Sequence, residues 1–329
     1  MNTKRIVVAG VTLAVAVAAL LVFFSRREGP VRTERDAREA PRPVFPVSTG
    51  VVVRPLPPSA MGARTTAGRR PPAVSASKDV AAVMDASDKS LEARLSALAG
   101  LGKALQEQDV DALISFMDRR NAEDALPPEK LNALKNDVAN LLRAQLKFPD
   151  VLPWRLANMW RDTAHDEVWR DYCIQHAGAA WPRISASAAR DEVRSLLWTA
   201  AADPAAPGAG TALISLRNLV SSGSEEKAKV AERASALAAT AETPEGVRVT
   251  ALQIAAELGA PGTAALARSL LPDRSQPVHL RMSAAAALGR AGDASDLPAL
   301  EALASTSDPR LRAAASSAVR RLSEKPNAP

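Results

Sequence analysis

Cys173 and His176 stand three residues apart in "DEVWRDYCIQHAGAAW", a segment with helical character. On a helix that spacing places both side chains on one face, where a thiolate and an imidazole could serve as nucleophile and base. No nearby motif offers backbone donors for a developing oxyanion, and a helix interior presents a nucleophile poorly. The other reading of Cys173 is a buried, unreactive thiol. It is the only cysteine, so the chain has no internal disulfide and no CxxC pair. His165, with Asp162 and Asp166 close by, could contribute metal ligands. The chain holds only three histidines, His165, His176 and His279, and no HExxH. A solvated helix junction is the alternative there. We expect no catalysis, no metal, no cofactor and no small-molecule substrate.

Two further groups suit binding. All five tryptophans, Trp154, Trp160, Trp169, Trp181 and Trp198, fall within 45 residues, with Tyr172 among them. They could anchor an interface, or fill an aromatic core where helices meet unevenly. Arg248, Arg281 and Arg312 come early in three successive helical segments. Stacked repeats would align them as a ladder for an acidic segment, or pair them with loop acids such as Asp273 and Asp308. Arg248, Arg281, Arg312, Trp154, Trp160 and Trp169 are the candidate partner-binding residues.

The elements that must position these groups are helices. The composition is 47% apolar but only 3% aromatic, which suits many small helices. Leu91, Leu95, Leu98 and Leu105 recur at helical spacing. So do Leu131, Leu134, Val138, Leu141 and Leu142 after "LPPEK". Toward the C-terminus, "ETPEGVRV", "SQPVHLRM" and "SDPRLRAA" mark helix starts, with Thr243, Ser275 and Asp308 as caps. Their prolines are 33 and 32 residues apart, and Leu258-Gly259 and Leu288-Gly289 mark two helix ends 30 residues apart. Short second helices lie between. A helix–turn–helix unit at that period is a solenoid, and the alanines of "LRMSAAAALGRAG" are the points where stacked helices touch.

"VHLRMSAAAALGRAGDASDLPALEALASTSDPRLRAAASSAVRRL" resembles HEAT repeats, especially the short HEAT-like kind first described in phycobilisome lyases. The early Arg, the Ala-rich helix, Leu-Gly, Gly-Asp and Leu-Pro-Ala-Leu carry the resemblance. It is clearest over 243–323 and looser over 150–242. The segment around Cys173 also resembles a stretch of bacterial proteins of this kind. The resemblance implies an all-α solenoid of stacked helix pairs that acts as a scaffold or binding surface. Some enzymes built from such repeats hold di-iron through His-Glu pairs. This chain has no His-Glu pair, and the lyase activity is not carried over either.

The N-terminus is different. Residues 1–5 form a short basic tail, and 6–24, "IVVAGVTLAVAVAALLVFF", are nineteen uncharged residues. As a helix they would cross a hydrocarbon core of about 30 Å. No small-x-small cleavage site follows, so we read an uncleaved transmembrane anchor. Basic residues after the span argue for a cytoplasmic body; the basic tail before it looks like an export signal. We take the body as extracytoplasmic, in a single-pass protein of a bacterial inner membrane. Residues 25–85 are rich in Pro and Arg and read as a disordered linker, spanning on the order of 45 Å as a coil. The repeat domain is assigned to 86–325.

Charge follows the same division. Residues 1–75 carry a balance of +8 and the remainder −2, so no nucleic-acid partner is expected for the body. The sequence reads as a membrane-tethered scaffold for unknown protein partners. Two alternatives stand beside it: an enzyme or enzyme subunit with a site near His165, Cys173 and His176, and an envelope protein whose linker binds lipid or cell-wall polymer.

Overall fold

The computed structural model describes residues 76–88 and 90–324. Residues 6–24 and most of the expected linker lie outside them. Among the described residues there are α-helices, short 3₁₀ turns and no strand. No described helix is long and apolar enough to cross a membrane.

The helices are α1 (Lys78–Val83), α2 (Leu91–Gly100), α3 (Glu107–Met117), α4 (Pro128–Arg143), α5 (Leu152–Arg161), α6 (Glu167–Ala180) and α7 (Ser187–Ala202). They continue with α8 (Ala209–Ser221), α9 (Lys227–Ala239), α10 (Glu245–Leu258), α11 (Thr263–Leu270), α12 (Val278–Ala291), α13 (Leu297–Ala304) and α14 (Pro309–Glu324). Each odd-numbered helix packs on the even-numbered helix that follows it. The even-numbered helices also pack on one another in order, α2 on α4 through to α12 on α14. The result is a layer of stacked even helices with a partner helix for each. That is the arrangement of an α-solenoid.

The even helices begin at residues 91, 128, 167, 209, 245, 278 and 309. Their spacing widens to 42 residues between α6 and α8 and then narrows to 31 between α12 and α14, so the repeat is visible in the sequence only where it is tightest. The alanines behave as that pattern requires. Ala284, Ala285, Ala287 and Leu288 of α12 are buried, although Ala291 at the helix end is exposed. Small side chains on that face let α10 and α14 lie close on either side.

Four local expectations are corrected. The folded body begins before residue 86: Val80 and Val83 of α1 have no exposed surface. Ser77 accepts a hydrogen bond from the Val80 N–H and donates its own N–H to Asp109. A cap followed by valines at i+3 was therefore present within the stretch assigned to the linker. Second, Gly259 ends α10 in the left-handed conformation at φ 72°, but Gly289 ends nothing. It lies inside α12, where the backbone of α14 passes too close for a side chain. Third, of the three proposed caps only Asp308 works, accepting from the N–H groups of Arg310 and Leu311. Pro244 and Pro277 themselves occupy the cap positions of α10 and α12. Fourth, the most buried side chain of α2 is none of its leucines but Arg94.

Candidate functional site

The predicted arginine ladder exists, is longer than expected, and turns inward. Arg94, Arg170, Arg248, Arg281 and Arg312 are each the fourth residue of an even-numbered helix. The Nε of Arg94 donates to the Val83 carbonyl at 2.8 Å, and that of Arg170 to Trp160 at 2.6 Å. Arg248 reaches Ala238 at 3.3 Å and Arg281 reaches Leu271 at 3.0 Å. Arg312 uses Nη1 on Thr306 at 3.3 Å. The acceptors lie at or just past the C-terminal end of the preceding helix. Carbonyls there lack partners within their own helix and carry its partial negative charge, so a guanidinium satisfies both needs.

Each arginine thus latches the second layer to the first across the turn. That role corrects the ladder as a free grip for an acidic segment: Arg248 is buried, and Arg281 spends its Nε donor inside the fold. Arg312 is exposed. The expected pairing to loop acids is only indirect. Asp273 lies near enough to Arg281 to feel its charge, but its main hydrogen bonds go to Ser275 and Gln276. Arg94 and Arg170 were missed in the sequence because their helices lack the repeat signature. Their position, one turn after a Ser or Asp cap, was the available signal.

Around α4 and α6 lies a block of buried polar groups. Arg94 forms a two-pronged ion pair with Asp124, at 2.7 and 3.0 Å, and both side chains are fully buried. Burial alone would raise the Asp124 carboxyl. Hydrogen bonds from Arg94 and the Leu126 N–H, with the charges of Arg94 and Arg119, outweigh it and hold the group below the ordinary carboxylate range. Lys135 is fully buried, donates to the Arg119 carbonyl and sits 5.1 Å from the Trp169 ring centroid. Burial brings its amine down to about 8, against an opposing pull from Asp166. Asp166 caps α6 and accepts from Trp169 N–H, Asn121 and Asn132.

The three residues of the enzymatic reading fall in this block but are not joined to one another. His165 Nε2 meets Asp118 Oδ1 at 3.0 Å. Burial pulls its imidazole below the ordinary value although Asp118 pulls the other way. His176 uses both ring nitrogens elsewhere, Nδ1 on Arg143 at 3.2 Å and Nε2 on Asn136 at 3.1 Å. Neither nitrogen remains to serve Cys173. The thiol has no exposed surface, and burial pushes its pKa far up, away from the thiolate a nucleophile requires. Among the described residues no group of three or more His, Cys, Asp or Glu is placed to hold a metal ion. A shallow open depression of about 440 Å³ lies among Gly259, Gly262, Arg268 and Arg290. Arg268 there is tied to Asp293 and Asp296.

The tryptophans divide. Trp169 is fully buried, and Trp160 and Trp181 nearly so. The Trp160 ring N–H donates to the Pro207 carbonyl at 2.9 Å, and that of Trp198 to Glu225 at 2.8 Å. Cations sit over most of these rings: Arg170 on Trp160, Arg190 and Arg194 on Trp181, Lys229 on Trp198. Trp160 and Trp169 are therefore core residues, Trp160 tied to the loop before α8 and Trp169 set against Lys135 of α4. Of the three proposed as partner-binding, only Trp154 is exposed, at 42%. Exposed Leu146 and Val151 precede it in the chain, at the corner between α4 and α5. Leu146 drew no notice in the sequence, because a leucine next to a helix end looks like any core residue.

The stacked layers define a helical-repeat protein. Residues 233–320 match a family model described as HEAT repeats, which includes α10, α12 and most of α14. No curated protein matches the chain. Among solved structures, human deoxyhypusine hydroxylase in complex with glycerol is similar over 75% of this chain and 95% of that chain, with 17% sequence identity and a TM-score of 0.32.

Proposed function

We propose that this protein is a membrane-tethered HEAT-like scaffold whose helical body binds other proteins and performs no turnover. The observation that carries the reading is the unbroken stacking of the even-numbered helices, each on the next. Such a stack offers a long surface built by repetition, and binding along it is the use that architecture serves best. The protected Cys173 and the separately engaged His176 support the same reading over an enzyme centred on them. We further infer that residues 6–24 anchor the chain in a bacterial inner membrane with the body on the extracytoplasmic side, joined by the Pro/Arg-rich segment that follows. The short HEAT-like kind remains the best description of residues 243–323.

Crosslinking in native membranes, followed by identification of what is joined to the body, tests the proposal. The expected result is one or a few proteins joined through residues of 76–324. Recovery of no protein at all, with the chain intact in the membrane fraction, would overturn it.

A further inference from the structure

We infer that the corner between α4 and α5 is a lipid-facing patch that rests on an anionic membrane surface. Leu146 is 77% exposed, Val151 49% and Trp154 42%, and they lie within nine residues of chain. Apolar side chains of this size rarely gather on a surface without a use.

Their exposure is built in. The Leu146 N–H donates to the Lys103 carbonyl at 2.7 Å. Gln145, itself buried, donates to the carbonyls of Gly102 and Leu141 and accepts from the Leu105 N–H. Arg183 then bonds the carbonyls of Arg143 and Gln145, at 3.0 and 2.7 Å, and lies over the Phe148 ring. The backbone is clamped from two sides, so Leu146 is held out and cannot fold back onto the core.

The charges around it select the occupant. Lys103, Lys147 and Arg155 are exposed, and the Arg183 guanidinium, though occupied by the clamped carbonyls, adds its charge; Asp150 is the only acid within the segment 143–155 itself. An apolar segment with this excess of cations complements the interface of an anionic bilayer: the apolar side chains enter the headgroup region, tryptophan favours that depth, and the exposed cations meet phosphates. Leu146 leaves most of its surface uncovered by the fold. A bilayer accommodates projecting groups without a matching shape, whereas a protein partner would have to supply a pocket for each.

This inference rests on the described residues and stands apart from the anchor. The test uses the full chain, reconstituted in vesicles of phosphatidylcholine alone or mixed with phosphatidylglycerol. Cys173 is inaccessible, so a fluorophore can be placed selectively on Trp154→Cys, or on Ser316→Cys of α14 as a control. Spin-labelled lipid should quench the label at 154 several-fold more than the label at 316 in the phosphatidylglycerol vesicles. Adding K147E and R155E should abolish the difference. Equal quenching at the two positions in phosphatidylglycerol vesicles overturns the proposal and leaves the patch to an acidic protein surface. So does a difference that survives K147E and R155E. Failure of the anchor reads separately, as a chain that does not float with phosphatidylcholine vesicles; the patch would still bring such a chain to phosphatidylglycerol.

Discussion

Gly289 of α12 faces Ala318 of α14 so closely that a Cβ on the glycine would lie 2.9 Å from the Ala318 Cα. The contact is backbone against backbone, so no side-chain rotation relieves it. The same device recurs between α6 and α8, where a Cβ on Gly178 would meet the Ser215 hydroxyl at 2.2 Å and its Cβ at 2.6 Å. Gly246, the second residue of α10, has nothing within 4 Å. Gly289→Ala should therefore destabilise the protein by about 1–3 kcal/mol through overpacking, despite the better helix propensity of alanine. Gly246→Ala should stabilise it by roughly 0.4 kcal/mol, because in that first turn only the reduced freedom of the unfolded chain acts. Urea unfolding of the two variants checks the opposite signs.

The arginine latch makes a second expectation. Removing Arg248 or Arg281 leaves a carbonyl at the end of the preceding helix without its charged donor. Arg248→Ala and Arg281→Ala should each cost about 1–3 kcal/mol. Arg312→Ala should cost less, because its bond is longer than that of Arg281 and its side chain is exposed. Thermal melting orders the three. A free ladder meant for an acidic partner would instead leave the melting temperature unchanged in all of them.

The latch also shows what the sequence could and could not say. Period and small-residue content revealed the stacking over 243–323, since α10, α12 and α14 keep nearly constant spacing. They revealed Arg248, Arg281 and Arg312 as a set for the same reason. Direction was not legible: an arginine one turn into a helix can point outward or back across the turn, and only the packing angle decides. Nor was Gly289 legible as a contact, because Leu-Gly at a helix end and Leu-Gly at a close crossing are the same two letters. The buried Arg94–Asp124 pair joins residues thirty positions apart that sit in no motif. The division between Trp154 and Trp160 was legible: Leu152, Leu156, Met159 and Trp160 share the buried face of α5 at helical spacing, and Trp154 lies off it.

His176 supplies the last prediction. Arg143 can only donate, so Nδ1 of the ring accepts and Nε2 carries the proton that goes to Asn136. The fold thus holds the neutral ring. Burial first, and the Arg143 charge second, push its pKa from 6.5 down to about 3. Between those values the unfolded chain binds a proton that the folded chain refuses. Stability from this group is complete above the unfolded value and falls as the pH drops from there toward the folded one, by a total on the order of 5 kcal/mol. His176→Gln keeps an acceptor for Arg143 and a donor for Asn136 but does not titrate. The carboxylates contribute alike to both proteins, so the difference between them isolates the histidine. Urea unfolding at intervals from about pH 7 to pH 4 should show the wild type losing more stability than the variant. Parallel curves would mean that His176 titrates alike in the folded and unfolded protein and that the Arg143 contact is not formed as described.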